Sequence, residues 1–197
     1  MPPRRSIVLF ALVVFAVSVA ALAADDGVPI THGFGVPMAP AFGAMGWLSV
    51  MGSEEGQPAP RFHAKTLTGE TFTNDSVKGK VVLLQFWTTW CPYCKEEQEV
   101  VDSIDKELAP KGVVVLAINV AESKKKVRQY LQENPRSCRI VLTEDTNLAA
   151  MYQANSYPIY VVIDREGNIA AEQRGAGGER ALRHMLRKAG VEPEDEN

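Results

Sequence analysis

Residues 81–94 read VVLLQFWTTWCPYC and are the most informative segment of this chain. The apolar run 81–87 is typical of a buried β-strand, and the segment after Cys94 has the pattern of a helix. A Cys-x-x-Cys motif at such a junction places the first sulfur beside backbone N–H groups that lack a partner within the helix. Those groups and the helix dipole favour the thiolate, which is the nucleophile of disulfide exchange. Because Cys94 follows Cys91 by about one helical turn, the pair can open and close as a dithiol.

The cysteine content favours redox chemistry over a structural role. The 197-residue chain contains three cysteines, too few for a disulfide-stapled scaffold. A structural zinc site needs four ligands at suitable spacing, and one CxxC with the distant His63 and His184 does not supply them. Cys138 directly precedes a short predicted strand. A partly buried, unreactive thiol is the simpler interpretation of Cys138, and a functional third thiol is the alternative.

The first 24 residues differ in character from the rest of the chain. Arg4 and Arg5 precede an uncharged, mostly apolar stretch, residues 7–24, which ends in Ala-Leu-Ala-Ala. This pattern predicts a secretory signal peptide that is cleaved after Ala23, and an uncleaved membrane anchor is the alternative. In both cases the CxxC domain is exported, so we expect a periplasmic or other extracytoplasmic location.

Residues 25–56 form a predicted linker that is rich in Gly, Pro and Met. The stretch 27–53 contains no charged residue, and its Gly and Pro content opposes both helix and strand. A flexible tether between the membrane surface and the domain is the main interpretation. Two alternatives remain open: a strip that binds a membrane or partner through its aromatic residues, and a copper site built from His32 and the nearby methionines.

Residues 57–190 have the pattern of one α/β domain. Strands are predicted at 62–67, 70–73, 81–87, 112–119, 139–142, 159–164 and 169–173, and helices at 95–108, 123–131, 147–153 and 178–188. Alternating strands and helices that end in a hairpin and a helix predict a central mixed β-sheet flanked by helices on both faces. The first two strands add an N-terminal β-hairpin, and residues 191–197 are a predicted acidic tail.

The charge of the chain argues against a nucleic-acid partner. The formal net charge at pH 7 is −3, and it is −5 without Arg4 and Arg5. No basic patch with interleaved aromatic residues stands out. Lys124, Lys125 and Lys126 are interpreted as the solvated face of a predicted helix.

With these motifs in place, the chain resembles the thioredoxin superfamily, and within it the exported TlpA/ResA-like branch of thiol–disulfide oxidoreductases. The resemblance spans about residues 57–188 and rests on QPAPRF (57–62), GKVVLLQFW (79–87), WCPYC (90–94) and YPIYVVID (157–164). It implies a thioredoxin-like fold and a redox-active disulfide. No further cofactor and no metal are expected.

The resemblance implies catalytic roles for three residues. Cys91 would be the exposed nucleophile and Cys94 the buried resolving thiol. Glu97 matches an acid linked to proton transfer at the thiols in the ResA-like branch, and a solvated helix glutamate is the alternative. Gln85 stands where cytosolic thioredoxins carry a buried aspartate, so that proton-accepting role would pass to Glu97 or to water. Glu99 replaces a helix-kinking proline of many relatives, so a straighter helix is expected.

The resemblance also implies a substrate groove. Pro158 matches a cis-proline that lies opposite the CxxC, and the backbone of Tyr157 would pair with an extended substrate segment. Trp90, Pro92 and Tyr93 border the cysteines and are expected to contact the substrate as well.

These expectations combine into an exported dithiol reductase. Its partners would be disulfide-containing exported proteins, apocytochrome c among them, and a membrane thiol electron donor. A copper-binding metallochaperone on the same scaffold is the main alternative. A peroxiredoxin-like peroxidase is a further one, although Thr88-Thr89-Trp90-Cys91 does not resemble a peroxidatic loop.

Overall fold

A computed structural model of the chain describes residues 55–192. The predicted signal peptide or anchor, the linker up to residue 54 and residues 193–197 of the acidic tail lie outside the described residues. None of the helices within residues 55–192 is long and apolar enough to cross a bilayer.

The described residues form one sheet and five α-helices. The strands are β1 (His63–Thr66), β2 (Thr71–Thr73), β3 (Val81–Trp87), β4 (Val113–Asn119), β5 (Arg139–Thr146), β6 (Ile159–Ile163) and β7 (Ile169–Arg174). The helices are α1 (Pro92–Glu96), α2 (Gln98–Leu108), α3 (Lys124–Glu133), α4 (Leu148–Met151) and α5 (Gly178–Lys188), with a 3₁₀ turn at Ala109–Lys111.

The sheet is mixed, with strand order β2-β1-β5-β4-β3-β6-β7. Strands β3, β4 and β5 run parallel at its centre, while β6, β7, β1 and β2 pair antiparallel with their neighbours. Every residue of β3 and β4 is buried, because layers cover both faces of the sheet.

Strand order decides which face each helix covers. The chain moves in one direction from β3 through β4 to β5, and right-handed crossovers therefore place α2 and α3 on the same face. Side chains of α2, α3 and α5 share an apolar cluster with Leu83 and Trp87 of β3. The connection from β5 to β6 returns across the sheet, and Leu148 of α4 packs with Leu84 and Phe86 on the opposite face. The layered α/β architecture and the N-terminal hairpin are confirmed.

Apart from the helix that follows the CxxC, the predicted elements that differ most in length from the structure are β5 and α4. Strand β5 continues to Thr146 instead of ending at Leu142, because β1 pairs along it and opposes Ala64 to Thr146. Helix α4 is limited to Leu148–Met151, within the longer helix predicted at 147–153.

Candidate active site

Cys91 and Cys94 form a disulfide where β3 passes into α1, and their Cα atoms are 5.3 Å apart. Cys91 is the N-cap residue of α1, and its Sγ accepts a 3.1 Å hydrogen bond from the backbone N–H of Cys94. Pro92 lies in the first helical turn, where backbone N–H groups have no acceptor within the helix, so the lack of an N–H in proline removes no helical hydrogen bond. Since α1 has only five residues, this hydrogen bond is a more direct source of thiolate stabilisation than a helix dipole.

The expected difference in exposure between the two cysteines is wrong for this disulfide-bonded state. Cys91 exposes 2% of its surface and Cys94 exposes 3%. Both belong to the apolar cluster that contains Trp87 and Val101. Both cysteines are therefore buried in the disulfide-bonded state.

Exposed aromatic side chains lie beside the buried disulfide. Trp90 is 62% exposed and Tyr93 is 58% exposed, and Pro92 between the cysteines is also exposed. Apolar side chains of this size are normally buried, so their exposure marks a surface suited to contact with another molecule. The ring of Trp90 meets the ring of Tyr157 edge-on, with centroids 5.9 Å apart.

The peptide bond between Tyr157 and Pro158 is cis, as the resemblance implies. Pro158 immediately precedes β6, in which Ile159 is paired with Phe86 of β3. Phe86 lies near the end of β3 that leads to the cysteines. The cis-proline and the CxxC are therefore at the same end of these two neighbouring strands. Tyr157 and Pro158 thus lie at the same end of the strands as Trp90 and the cysteines.

Glu97 is buried, with 5% of its surface exposed, and three donors hold its carboxylate. Oε2 accepts a 2.7 Å hydrogen bond from the hydroxyl of Tyr160. Oε1 accepts from the backbone N–H groups of Gly177 at 2.9 Å and Gly178 at 2.5 Å. The neighbouring acids Glu96 and Glu99 are exposed, so Glu97 alone among the three is turned into the protein.

The straighter helix expected from Glu99 is wrong, because the helix divides at Glu97. Glu97 adopts φ −89° and ψ 0°, and it separates α1 from α2. Its side chain is tied to β6 through Tyr160 and to the start of α5 through Gly177 and Gly178. A proline is therefore not needed for the interruption, which occurs at the residue whose carboxylate these contacts hold.

A chain of buried hydrogen bonds continues from Glu97 through the sheet. The hydroxyl of Tyr160 accepts a 3.3 Å hydrogen bond from Nε2 of Gln85, whose Oε1 accepts one of 3.2 Å from Arg136. The guanidinium of Arg136 also donates to both carboxylate oxygens of Asp102, at 3.0 and 2.9 Å. Burial, and then the hydrogen bond to Glu97, raise the pKa of Tyr160 well above its ordinary value, so the phenol remains a donor.

Glu122 anchors the loop that precedes Cys91. Its carboxylate accepts hydrogen bonds from the backbone N–H of Thr89 at 2.6 Å, the hydroxyl of Thr89 at 2.7 Å and the amide of Asn119 at 2.8 Å. Lys126 completes the set with an ion pair of 2.7 Å. Burial alone would raise the pKa of Glu122, but the hydrogen bonds from Lys126, Thr89 and Asn119 outweigh it and lower the pKa to about 2.

Sequence reasoning missed three residues of this site. The sequence could have indicated Tyr160, because it places a phenol within the otherwise apolar strand IYVVI. No sequence pattern indicated Arg136 or Glu122, because charged residues in loops are ordinarily solvated. The side chain of Arg136 nevertheless is only 1% exposed and that of Glu122 only 5%.

The interpretation of Cys138 as a buried thiol is confirmed. Cys138 is 5% exposed, and burial raises its pKa to about 12, which keeps the thiol protonated and unreactive. Within residues 55–192 no three His, Cys, Asp or Glu side chains are grouped closely enough to hold a metal ion. His32 and the linker methionines, which carry the copper alternative, lie outside the described residues.

Comparison with known proteins agrees with this geometry. The Redoxin family model matches residues 54–186. Thioredoxin-like protein YneN of Bacillus subtilis is 37% identical over 122 residues, which cover 60% of this chain and 71% of YneN. Thiol-disulfide oxidoreductase ResA of Bacillus subtilis is 32% identical over 115 residues, which cover 58% of this chain and 64% of ResA. The crystal structure of StoA from Bacillus subtilis superposes with a TM-score of 0.57 at 26% identity, over 66% of this chain and 97% of StoA.

The family match covers well over half of the chain, and it coincides with the sheet, the CxxC disulfide and the cis-proline. The chain therefore belongs to the Redoxin family, and it is a thioredoxin-like thiol–disulfide oxidoreductase.

Proposed function

We propose that this protein is an exported dithiol reductase that opens disulfides in other exported proteins. The observation that carries the proposal is the Cys91–Cys94 disulfide at the β3–α1 junction, bordered by exposed Trp90 and Tyr93. The apolar segment 7–24 supports export. ResA is named a thiol-disulfide oxidoreductase and YneN a thioredoxin-like protein, and these names of relatives support thiol–disulfide chemistry without naming a client for this chain.

The reaction begins with the reduced dithiol. The Cys91 thiolate attacks one sulfur of the client disulfide, whose S–S bond breaks and releases a thiolate that takes up a proton. Cys94 then loses its proton and attacks Sγ of Cys91, so that the mixed disulfide breaks and the second client thiolate leaves. The second client thiolate also takes up a proton. Two electrons thereby pass to the client, Cys94 releases one of the two protons that the client gains and solvent supplies the other, and the Cys91–Cys94 disulfide remains.

Glu97 is assigned the proton transfer at Cys94. It follows Cys94 by three residues, about one helical turn, and its carboxylate is shielded from bulk water. The donors Tyr160, Gly177 and Gly178 hold the carboxylate in one orientation. A carboxylate held in one orientation about one helical turn from the resolving cysteine can accept the thiol proton during attack and return it when the pair is reduced again.

The client would lie across the surface formed by Trp90, Pro92, Tyr93 and Tyr157. An extended client segment can pair with the backbone of Tyr157 before the cis-proline, as an added strand does at a sheet edge. The exposed rings of Trp90 and Tyr93, which neighbour the cysteines in the chain, provide apolar contact. The haem-binding cysteines of apocytochrome c are the client that the TlpA/ResA-like resemblance suggests.

A reductase in an oxidising compartment needs a continuing supply of electrons. We assign that role to a membrane protein that carries thiol electrons outward from the cytoplasm. It would reduce the Cys91–Cys94 disulfide by the same two steps in reverse.

The reduction potential of the pair, measured against glutathione in the full-length protein, tests the direction. A potential near or below about −250 mV, close to the roughly −270 mV of thioredoxin, is expected for a reductase. A potential near the roughly −120 mV of DsbA would overturn the direction and make the protein an oxidant.

A trapping experiment tests the roles of the two cysteines. Cys94→Ser should accumulate a mixed disulfide between Cys91 and a client peptide, because the resolving thiol is absent. The matched variant Cys138→Ser should turn over normally, since Cys138 is buried outside the CxxC. Mixed-disulfide formation through Cys138 would contradict the assignment.

A further inference from the structure

Arg136 is a buried cation in the segment between α3 and β5, and its side chain exposes only 1% of its surface. Its Nε donates to both carboxylate oxygens of Asp102, and a terminal nitrogen donates to Oε1 of Gln85 in β3. A buried ion pair commonly adds little net stability, because desolvation offsets the attraction between the charges. What Arg136 supplies in addition is a hydrogen-bond donor inside the sheet.

The chemistry of arginine fixes the orientation of the Gln85 side chain. A guanidinium only donates hydrogen bonds, so the amide atom that faces Arg136 must be the oxygen. The amide nitrogen therefore faces Tyr160 and donates to its hydroxyl oxygen. The single proton of that hydroxyl is left for Oε2 of Glu97. These four residues are called the hydrogen-bond chain below, and its direction is set by Arg136, the member that cannot accept.

An amide at position 85 is needed to transmit this direction. Gln85 is fully buried, and it accepts at one end of its side chain and donates at the other. An ionised carboxylate at this position would only accept, so it would compete with Glu97 for the proton of Tyr160. The neutral amide instead leaves Glu97 as the acceptor of that proton.

The direction of the chain also determines where Glu97 can hold a proton. Oε1 accepts from the backbone N–H groups of Gly177 and Gly178, and these bonds occupy both of its lone pairs. Within residues 55–192, the hydroxyl of Tyr160 is the donor that the structure shows at Oε2. A proton from the resolving thiol can therefore be held at Oε2 without the loss of a hydrogen bond, whereas at Oε1 it would displace one.

We propose that Arg136 is a positioning residue that keeps Tyr160 a donor to Glu97. It acts through the amide of Gln85. A donor at Oε2 favours the carboxylate form, which has to accept the proton of the resolving thiol. Without Arg136 the amide can rotate by half a turn, and its oxygen then competes for the proton of Tyr160. This inference rests on the proton-transfer role proposed for Glu97 in the reductase, and it adds a residue outside the CxxC segment to that role.

Other titratable groups face the hydrogen-bond chain and decide how it is tested. Burial is the largest cause that raises the pKa of Tyr160 well above its ordinary value, and burial raises the pKa of Cys138 to about 12. Neither group therefore ionises near neutral pH. Asp102 and Asp105 of α2 face Arg136, so a test of the guanidinium needs a reference in which the pairing acid is already neutral.

An NMR titration of the Glu97 side-chain carboxyl tests the proposal in the full-length oxidised protein, whose disulfide cysteines do not titrate. Asp102→Asn is the reference, because it neutralises the acid and keeps the donor to Gln85. D102N/R136M then removes the donor without leaving its ion-pair partner charged. The titration midpoint should be higher in D102N/R136M than in D102N by about one pH unit, because a hydrogen bond to the carboxylate is weakened. Equal midpoints would overturn the proposal.

The Tyr160→Phe background separates the hydrogen-bond chain from a direct effect of the Arg136 charge. Without the hydroxyl, removal of the guanidinium cannot redirect a proton toward or away from Glu97. D102N/R136M/Y160F should therefore titrate almost as D102N/Y160F does. A difference as large as the one measured with Tyr160 present would show that the charge acts through space, and the positioning role would be refuted.

Gln85→Glu tests the same chain while leaving the Arg136–Asp102 pair intact, so the proposal does not depend on the folding of D102N/R136M. Glutamate keeps an acceptor for Arg136 but places a second acceptor at Tyr160. The midpoint of Glu97 should rise, and it should rise more than in the Tyr160→Phe background, where only the added charge acts. Equal rises in the two backgrounds would count against the hydrogen-bond chain.

Kinetics connect the titration to the reaction and keep the two proposals distinguishable. Resolution of the mixed disulfide should be about 5-fold or more slower in D102N/R136M than in D102N at pH 6, and the rates should converge at pH 9. A pH-independent difference would indicate a structural defect and overturn the positioning role. The titration itself needs no turnover, and reduction of a small neutral disulfide by the wild type tests the reductase separately. A positive titration in a protein without that activity would therefore refute the reductase and leave the hydrogen-bond chain standing.

Discussion

The hydroxyl of Tyr160, in β6, donates a 2.7 Å hydrogen bond to Oε2 of Glu97 at the interruption between α1 and α2. The two residues are 63 positions apart in the chain, and both are buried. This contact joins the segment that carries the cysteines to the centre of the sheet. It also makes the orientation of the Glu97 carboxylate dependent on a residue that does not belong to the CxxC motif.

Tyr160→Phe should lower the free energy of unfolding by about 1–3 kcal/mol, because it leaves buried polar groups of Glu97 and Gln85 without this partner. Urea denaturation measures the change. The control is Tyr152→Phe, since the buried hydroxyl of Tyr152 has no hydrogen-bond partner among the described residues. Its removal should change the free energy of unfolding little. If Tyr160 positions Glu97, the pH profile of kcat/KM should change in Tyr160→Phe and not in Tyr152→Phe. Equal behaviour of the two variants would contradict this role.

Glu97→Gln should slow the resolving step by about 100-fold or more, because an amide cannot accept the Cys94 proton. Stopped-flow measurement of mixed-disulfide resolution tests this directly. Glu96→Gln is the matched variant, since Glu96 is the adjacent exposed acid and should resolve at the normal rate. Resolution at the wild-type rate in Glu97→Gln would remove Glu97 from the mechanism.

Glu122→Gln should destabilise the protein in a pH-dependent way. The pKa of Glu122 is lowered from 4.5 to about 2, so its ionised form contributes up to about 3 kcal/mol of stability above pH 5. That contribution is lost as the pH falls from about 5 to 2. The difference in unfolding free energy between wild type and Glu122→Gln should therefore shrink over this interval. The exposed Glu144 provides the control Glu144→Gln, and a pH-independent difference for Glu122→Gln would refute the prediction.

Cys138 should resist alkylation until the protein unfolds. With a pKa of about 12, only about 1 in 10,000 Cys138 side chains is a thiolate at pH 8, and the residue is buried. Mass spectrometry of the oxidised protein after iodoacetamide treatment should show no label in buffer and one label in urea. Labelling of Cys138 in the folded oxidised protein would show that the thiol is accessible.

Local patterns were sufficient to predict most of the scaffold. The run Val81–Trp87 is predicted as a strand because it is apolar except at Gln85, and the CxxC follows its end directly. Ser123 caps α3 as its side chain predicts, through a hydrogen bond from the N–H of Lys126. The cis bond at Pro158 followed from a family resemblance, since periodicity carries no information on the isomer.

The order of strands and helices along the chain and the identity of the redox pair could be predicted from the sequence alone, because hydrophobic periodicity and the CxxC spacing are local properties. The partners of Glu97, the burial of Cys91 and the hydrogen bonds of Glu122 are known only from the folded protein. These features depend on contacts between residues separated by as many as 81 positions, which arise only when the sheet aligns its strands. A charged side chain is solvated or buried according to its neighbours in the fold, and those neighbours cannot be identified from local sequence.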